Sequence, residues 1–466
     1  MTSVRSRLQR SSGNSALFVM LIMALLISAG CSSVKKAQKR STTPTPAKEK
    51  EAVPHVYNPA SGKYEPVEDP KKLVDTIRFH EDKSTKPIET VEMKSVKKAV
   101  YDVAFLIPFN AARYTSSSGH TDPKVRRFIH YYAGVKMALH ELAVDGIRIS
   151  ASILDTRESA DEARRLFQGL KSVDAIVGPY ETEGLRDAAE YSTRKKVPVF
   201  SPWTPSIPIE NNSPYFVQLT PGLEAHAVAI VEYIDRQLAG SKVYMVARND
   251  PREKNRLNLF RDAHQQFDPL RPYEELIIDD ASVSLHSTVL RPLIAQGRST
   301  VFIMPFYSRG DEDFVNAFLR KLHAEKGTSS VYVFGMPQWL TFNRLNPDYL
   351  ESGNVHVSTV HFMDPGDPEV QEFQRRFLER YGSLPEPAAH EGYSFTLFLG
   401  NSLSNYGTGF LDVVSDPLRY TDNSDFALTP VYRSVTPESR NIPNYLENQA
   451  IHILQFKDHA YRPTGD

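Results

Sequence analysis

Two serine–x–x–lysine patterns come closest to a nucleophilic catalytic site. One runs from Ser95 to Lys98, in the predicted tether, and the other runs from Ser192 to Lys195, at the end of a predicted helix. A lysine at this spacing can activate serine in penicillin-recognising enzymes, but that chemistry also uses S-D-N and K-T-G elements, and the sequence contains neither. We therefore interpret both patterns as coincidences and expect no hydrolase.

Histidine chemistry is equally incomplete. His140 and Glu141 begin an "HELAV" run, but a zinc-binding helix needs a second histidine where Val144 stands. The other histidines lack metal-ligand spacing, and no phosphate-loop or dinucleotide-binding glycine pattern occurs. The sequence thus predicts a protein that is not an enzyme and has no metal or cofactor.

The single cysteine, Cys31, has a recognisable setting. A start containing Arg5, Arg7 and Arg10 precedes the apolar run 16–27, which is too short to cross a bilayer core of about 30 Å. Small residues come after the run, as in a secretory signal peptide. The stretch resembles the bacterial lipobox, although serine stands at position 28 where leucine is usual. The resemblance implies a lipoprotein whose acylated Cys31 becomes the amino terminus, after a signal peptide of residues 1–30.

Residues 31–98 differ in composition from the rest of the chain. The segment 32–50 is basic and rich in Ser, Thr and Pro, with too few apolar residues to offset its ordering entropy. It predicts a flexible tether between lipid and domain. No acidic cluster comes after Cys31, which favours a periplasm-facing chain. We expect the lipid to be anchored in the outer membrane rather than the inner one.

The overall charge excludes one class of partner. The formal net charge is −1, so no global field attracts nucleic acid. Once Cys31 carries lipid, no thiol remains for a disulfide, and the domain must be stabilised by its apolar core.

From residue 99 onward, short apolar strands alternate with amphipathic helices, which is typical of βαβ units and parallel sheets. The series pauses near residue 220 and then restarts. Predicted helices include 159–172, 181–196, 223–240, 284–297 and 312–326. We therefore predict an α/β fold of two Rossmann-like lobes joined by a hinge. The first lobe spans about 99–218 plus part of 340–410, and the second spans about 222–337 plus the C-terminal segment.

The motifs "VDAIVGPYETE" and "VPVFSPWTPS", with the late "FQRRFLERYGSLPEPAAHEGYSF", resemble the type 1 periplasmic binding proteins, especially the branched-chain amino-acid receptors. The resemblance covers roughly residues 100–410. The tail "NYLENQAIHILQFKDHAYRP" is similar to endings of Bacteroidota lipoproteins in this superfamily. The resemblance implies a type 1 fold that closes on a ligand between its lobes.

The sequence departs from that family at two informative places. The family's "GYD" acid is Ser394 here. Gln338 lies where the amino-acid receptors have an acidic side chain for the ligand amine, and an amide cannot supply a counter-charge. These departures disfavour an α-amino acid as the ligand.

Ligand contacts are expected beyond the carboxyl ends of the strands. The alternative is that the residues at these ends cap helices and pack the hinge. The candidates are Tyr180, Thr182, Ser201, Trp203 and Thr204 in the first lobe, and Arg248, Asn249, Asp250, Phe306, Tyr307, Gln338 and Trp339 in the second.

The sequence is compatible with two functions. The first is a lipid-anchored receptor that captures a small polar solute and presents it to a membrane partner such as an ABC permease. The second is an outer-membrane lipoprotein that activates a cell-wall synthase through its surfaces, without transporting a solute.

Overall fold

The computed structural model describes residues 95–111, 122–205, 209, 211–279, 288–295, 297–416, 420, 425–433 and 442–464, and the backbone of 55–58 and 63–66. The chain divides into two units, residues 1–84 and 85–466. In the first unit, β1 (His55–Asn58) and β2 (Lys63–Pro66) form an antiparallel hairpin. The predicted signal peptide and Cys31 lie outside the described residues.

The second unit contains two seven-stranded sheets. The strands of the first sheet are β3 (Tyr101–Ile107), β4 (Ile149–Asp155), β5 (Ala175–Val177), β6 (Val199–Ser201), β7 (Phe216–Gln218), β13 (Leu428–Val431) and β14 (Tyr445–Asn448). Their order is β13-β14-β7-β6-β5-β3-β4, and only β13 is antiparallel to its neighbour. We call this sheet and the helices packed on it the first lobe.

Both faces of the first sheet are covered because its central strands are apolar on both sides. Along β3, Val103 and Phe105 belong to one buried cluster, whereas Ala104 and Leu106 belong to another. This alternation arises from the two-residue period of a strand. The covering helices are α1 (Pro123–Val144), α2 (Ala160–Gly169), α3 (Thr182–Lys195), α8 (Pro368–Tyr381), α9 (Pro387–Tyr406) and the short α10 (Leu411–Val414).

The second sheet organises the second lobe. Its strands are β8 (Lys242–Arg248), β9 (Glu274–Ile278), β10 (Thr300–Ile303), β11 (Val331–Gly335), β12 (Val355–Thr359), β15 (His452–Lys457) and β16 (Ala460–Pro463). The order is β16-β15-β12-β11-β10-β8-β9, with β15 and β16 antiparallel to their neighbours. The helices are α4 (Leu223–Gln237), α5 (Pro251–Gln265), α6 (Glu312–Glu325) and α7 (Pro347–Ser352).

Three segments of chain pass between the lobes. They are residues 219–222 between β7 and α4, residues 360–367 between β12 and α8, and residues 449–451 between β14 and β15. Two lobes connected in this way can move about a hinge. The predicted α/β class, with two mostly parallel sheets, is confirmed.

One predicted helix is wrong in its described part. The sequence pattern indicated a helix over 284–297, but residues 288–295 contain only a 3₁₀ turn, Arg291–Leu293. Pro292 explains the difference, because proline lacks the N–H that an α-helix needs and clashes with the preceding turn. Over the described residues, no helix combines the length and apolarity needed to span a membrane.

Candidate ligand site at the carboxyl ends of the strands

An aromatic cluster lies at the carboxyl ends of β5 and β6. Trp203 comes after β6, and its ring packs edge-on against two rings of α1. The distance between ring centres is 5.2 Å to Phe128 and 5.0 Å to Tyr131. Tyr180, which comes after β5, contacts Phe128 at 5.2 Å and Trp203 at 6.2 Å. We call these four residues the aromatic cluster. It joins two predicted ligand residues, Tyr180 and Trp203, to two that the sequence analysis missed.

Buried polar atoms without a partner concentrate around this cluster. Within the described residues, no hydrogen bond is formed by Tyr131 OH, Ser201 Oγ, Trp203 Nε1 or Glu181 Oε2. The side chains of Tyr131 and Ser201 are fully buried, and Trp203 is only 6% exposed. A buried polar group without a partner costs about 1–3 kcal/mol. These atoms therefore form a set of hydrogen-bonding groups that the fold itself leaves unused.

Glu181 introduces negative charge beside the aromatic cluster. Thr156 donates a hydrogen bond to Glu181 Oε1 at 2.8 Å, and burial raises the pKa of the Glu181 carboxyl. Lys124 pairs with Glu158 at 2.6 Å and lies 5.0 Å from the centre of the Tyr180 ring. A ligand near Glu181 is expected to present a donor or a positive group, since a carboxylate would be repelled.

The remaining first-lobe predictions have different surroundings. Thr204 donates from Oγ1 to the Tyr180 carbonyl oxygen at 3.4 Å, which links the segments after β5 and β6. Thr182 is exposed at the first position of α3. Thr204 thus supports the aromatic cluster, whereas Thr182 lies on the surface of its helix.

In the second lobe, Arg248 at the end of β8 is already neutralised. Its guanidinium donates to Glu253 and Asp311 and lies 5.2 Å from the ring centres of Phe306 and Phe314. The hydrogen bonds from Arg248 to Glu253 raise the pKa of Arg248. Arg248 therefore stabilises the strand end, and little of its charge remains for a ligand.

Asn249 and Asp250, the next two residues, also form local contacts. Asn249 donates to Asp279 at 2.7 Å, and Asp250 caps α5 by accepting from the backbone N–H groups of Arg252 and Glu253. Asp250 is thus the N-cap of α5, in agreement with the alternative that strand-end residues cap helices and do not bind a ligand.

Trp339 differs from Trp203 although both come after strand ends. Trp339 is 1% exposed, and its Nε1 donates to the Phe306 carbonyl oxygen at 2.8 Å. Its ring packs against Gly335, where an added Cβ would lie 2.4 Å from it. Phe306 is fully buried too. Both side chains belong to the second-lobe core, and the Trp339 N–H already has its hydrogen-bond partner.

Among the second-lobe candidates, Gln338 and Tyr307 have side-chain groups that remain available to a ligand. Gln338 Oε1 is buried, with no hydrogen-bond partner among the described residues. Tyr307 is 38% exposed, and the Arg256 guanidinium lies 4.3 Å from its ring centre.

A carboxylate at the hinge was missed by the sequence analysis. Glu447 on β14 is buried and accepts from the Gln218 side-chain amide at 2.8 Å and from the Gly222 N–H at 2.9 Å. Burial raises the pKa of Glu447. It links β14, two residues before the third crossing segment, to Gly222 in the first. No sequence signal pointed to Glu447, because its partner Gln218 is more than two hundred positions away.

Comparisons with known proteins identify the family and the fold. Residues 128–414, more than half of the chain, match the sequence model of a family described as periplasmic binding protein. A search of curated protein sequences found no significant match.

Solved structures that resemble the chain include three with TM-scores above 0.5. A proposed branched-chain amino acid ABC transporter from Rhodospirillum rubrum matches with a TM-score of 0.56 at 16% identity, over 78% of this chain and 100% of the other. An ABC transporter substrate-binding protein from Desulfitobacterium hafniense gives 0.51 at 14%, over 78% and 100%. Full-length LpoA from Haemophilus influenzae gives 0.53 at 12%, over 80% and 60%. At these identities the similarity establishes the fold.

Proposed function

The chain belongs to the periplasmic binding protein family, and from this premise we propose that it captures a small polar solute between its two lobes. The membership confirms the resemblance seen in the strand-end motifs. We further propose that Cys31 carries lipid, that the chain faces the periplasm from the outer membrane, and that the loaded form is presented to a membrane partner such as an ABC permease.

One observation carries the solute proposal. Of the seven buried side-chain atoms without partners among the described residues, five belong to the predicted strand-end positions or to residues beside them, namely Tyr131, Glu181, Ser201, Trp203 and Gln338. Polar groups in a folded interior are normally satisfied, so a concentration of exceptions calls for an explanation. A ligand that forms hydrogen bonds with these groups would offset the free-energy cost of burying them without partners.

Hinge closure supplies the mechanism. The aromatic cluster, Ser201 and Glu181 would hold the solute on the first lobe, with Tyr180 and Trp203 as the apolar wall. Gln338 and Tyr307 would reach it from the second lobe. A ligand that contacts both lobes binds the closed form more tightly and shifts the population toward it. Arg248, Phe306 and Trp339 would act as support for the second wall.

The two tryptophans provide a matched test. Trp203→Phe removes an indole N–H that has no partner among the described residues, so the protein loses packing in the aromatic cluster but no hydrogen bond, while solute binding weakens about tenfold. Trp339→Phe removes a donor that Phe306 uses and leaves space in the core, so the free energy of unfolding should fall by about 1–3 kcal/mol, with affinity retained.

The measurement begins with thermal shifts of the purified protein against amino acids, short peptides, monosaccharides and aromatic carboxylic acids. A solute at 100 times its dissociation constant should add about 2.7 kcal/mol of stability. Titration calorimetry of both variants is then carried out with the hit. If no compound shifts the melting temperature, or if both variants bind the hit equally, the solute role is wrong and the activator role replaces it.

A further inference from the structure

A groove on the first lobe is independent of the strand ends. It encloses about 1180 Å³ and is lined by α9, the N-terminal half of α8, Glu141 of α1, Phe362 and Asp367 before α8, and Tyr420, Asp425 and Phe426. None of the predicted ligand residues and none of the aromatic cluster lines it. The groove is therefore a separate surface of the molecule.

One face of α9 forms the floor of this groove. Its lining residues recur every three or four positions from His390 to Tyr406, including Leu397, Asn401 and Asn405. The opposite face packs closely on α1, where an added Cβ on Gly392 would lie 2.3 Å from the Tyr131 carbonyl oxygen. At 1.5 Å per residue, the exposed face is about 24 Å long.

This length favours an extended occupant. About seven residues of extended chain, at roughly 3.3 Å each, would span the floor. The volume also exceeds the roughly 300–1,000 Å³ of ordinary small-molecule pockets. The rings of Phe373, Phe398 and Phe426 provide apolar contacts, and Asn401 and Asn405 can bond to a peptide backbone.

The charge of the groove is one-sided. Among the described residues, its lining carries the carboxylates Glu141, Asp367, Glu369, Glu372 and Asp425 and the guanidinium of Arg376.

The Arg376 guanidinium is already paired with a carboxylate. Arg376 pairs with Glu141 at 2.9 Å, and Tyr393 donates to the same carboxylate. Glu372 pairs with Arg375 and Asp425 pairs with His452, whereas Asp367 and Glu369 form no ion pair within the described residues. His390 adds little positive charge near neutral pH, because burial lowers its pKa. The groove is thus complementary to a basic occupant.

We propose that this groove docks an extended segment of a partner protein that carries lysine or arginine between apolar side chains. The proposal does not depend on the solute site, because the two surfaces share no lining residue. Binding here would let a membrane partner recognise the first lobe from the side.

The test uses fluorescence anisotropy of the purified protein with two labelled eight-residue probes. One probe alternates leucine with lysine, and the other alternates leucine with glutamate. The lysine probe should bind at least tenfold more tightly, and its affinity should fall as salt rises.

Matched variants locate the binding. Glu372 and Glu379 are both exposed on α8 and both pair with Arg375, but only Glu372 lines the groove. Glu372→Gln should weaken the lysine probe about two- to fivefold, whereas Glu379→Gln should not. Asn401→Trp should fill the groove and weaken the probe tenfold or more, and Asn255→Trp, at an exposed position on α5, should have no effect.

The proposal is overturned if both probes bind equally, if the two glutamate variants behave alike, or if Asn401→Trp has no effect with the melting temperature unchanged. If Trp203→Phe is the only variant that abolishes binding of the lysine probe, the probe binds in the solute site. This result would also overturn the groove proposal. A thermal-shift hit lost only in Trp203→Phe would leave the solute proposal intact in every case.

Discussion

At the residue scale, two histidines are held in surroundings that oppose their charge. His226 on α4 bonds through Nδ1 to Ser358 Oγ at 3.0 Å, and His356 on β12 donates from Nδ1 to the Asn354 carbonyl oxygen at 2.8 Å. His356 also stacks on Phe334 at 4.9 Å. Burial lowers the pKa of each histidine to about 4. Both are therefore neutral in the folded protein at pH values where an unfolded histidine is charged.

These histidines predict a loss of stability in mild acid. The two histidines bind protons below pH 6.5 in the unfolded chain but only below about pH 4 in the folded chain. The free energy of unfolding therefore falls as pH falls through this window. The loss approaches about 2 kcal/mol per histidine at pH 5. The raised pKa of Glu181 and that of Glu447 act in the opposite direction in acid.

The measurement is urea unfolding of wild-type protein and His356→Phe at pH 7.5 and pH 5. The variant removes one titrating group from an aromatic environment and should lose about 2 kcal/mol less than wild type over this interval. Identical losses in the two proteins would show that His356 is not held neutral.

At the element scale, the contact between α1 and α9 depends on glycines. A Cβ added to Gly134 would lie 1.8 Å from the Ala389 carbonyl oxygen, and one added to Gly400 would lie 2.4 Å from Leu142. The two helices can approach this closely only because these positions lack side chains. The contact fixes both Tyr131 in the aromatic cluster and the face of α9 that lines the groove.

Gly134→Ala should therefore destabilise the protein by about 1–3 kcal/mol, since the helices must separate. Gly169→Ala is the control: Gly169 ends α2, an added Cβ meets nothing within 4 Å, and alanine should stabilise by about 0.5–1 kcal/mol. Thermal unfolding of both variants measures the difference. Equal melting temperatures would mean that the close approach contributes nothing.

At the scale of the whole molecule, the crossing segments allow one lobe to move against the other, and Glu447, two residues before the third segment, accepts a hydrogen bond from Gly222 in the first. The proposed lipid at Cys31 would add a fixed point in the membrane, with residues 32–98 between lipid and domain. A receptor attached in this way would search for its partner in two dimensions.

Replacing Cys31 with alanine should release the protein from membranes, since the proposed lipid is its strongest membrane attachment. Cell fractionation measures the release, and mass spectrometry of membrane-extracted wild type should show an acylated start at residue 31. The matched control is Ser32→Ala, which leaves the cysteine in place and should remain with the membranes. If Cys31→Ala also stays with the membrane fraction, the anchor is wrong.

The alternation of strands and helices could be predicted from sequence alone, because hydrophobic period and helix capping act between near neighbours. Helices α3 and α6 match their predicted runs, 181–196 and 312–326, to within one residue at each end. The antiparallel strands of the tail escaped prediction. Their pairing depends on partners such as Val357, nearly a hundred positions from Leu454.

The candidate site was only partly accessible to sequence reasoning. Strand-end position alone made Trp203 and Trp339 equivalent. Tertiary packing separated them, since Trp339 Nε1 meets the Phe306 carbonyl whereas Trp203 Nε1 meets no partner among the described residues. It also turned Arg248 from a free cation into a group bound by Glu253 and Asp311. Local sequence determines which element a residue occupies, but its partners come from distant segments, and those partners decide whether its polar atoms remain available to a ligand.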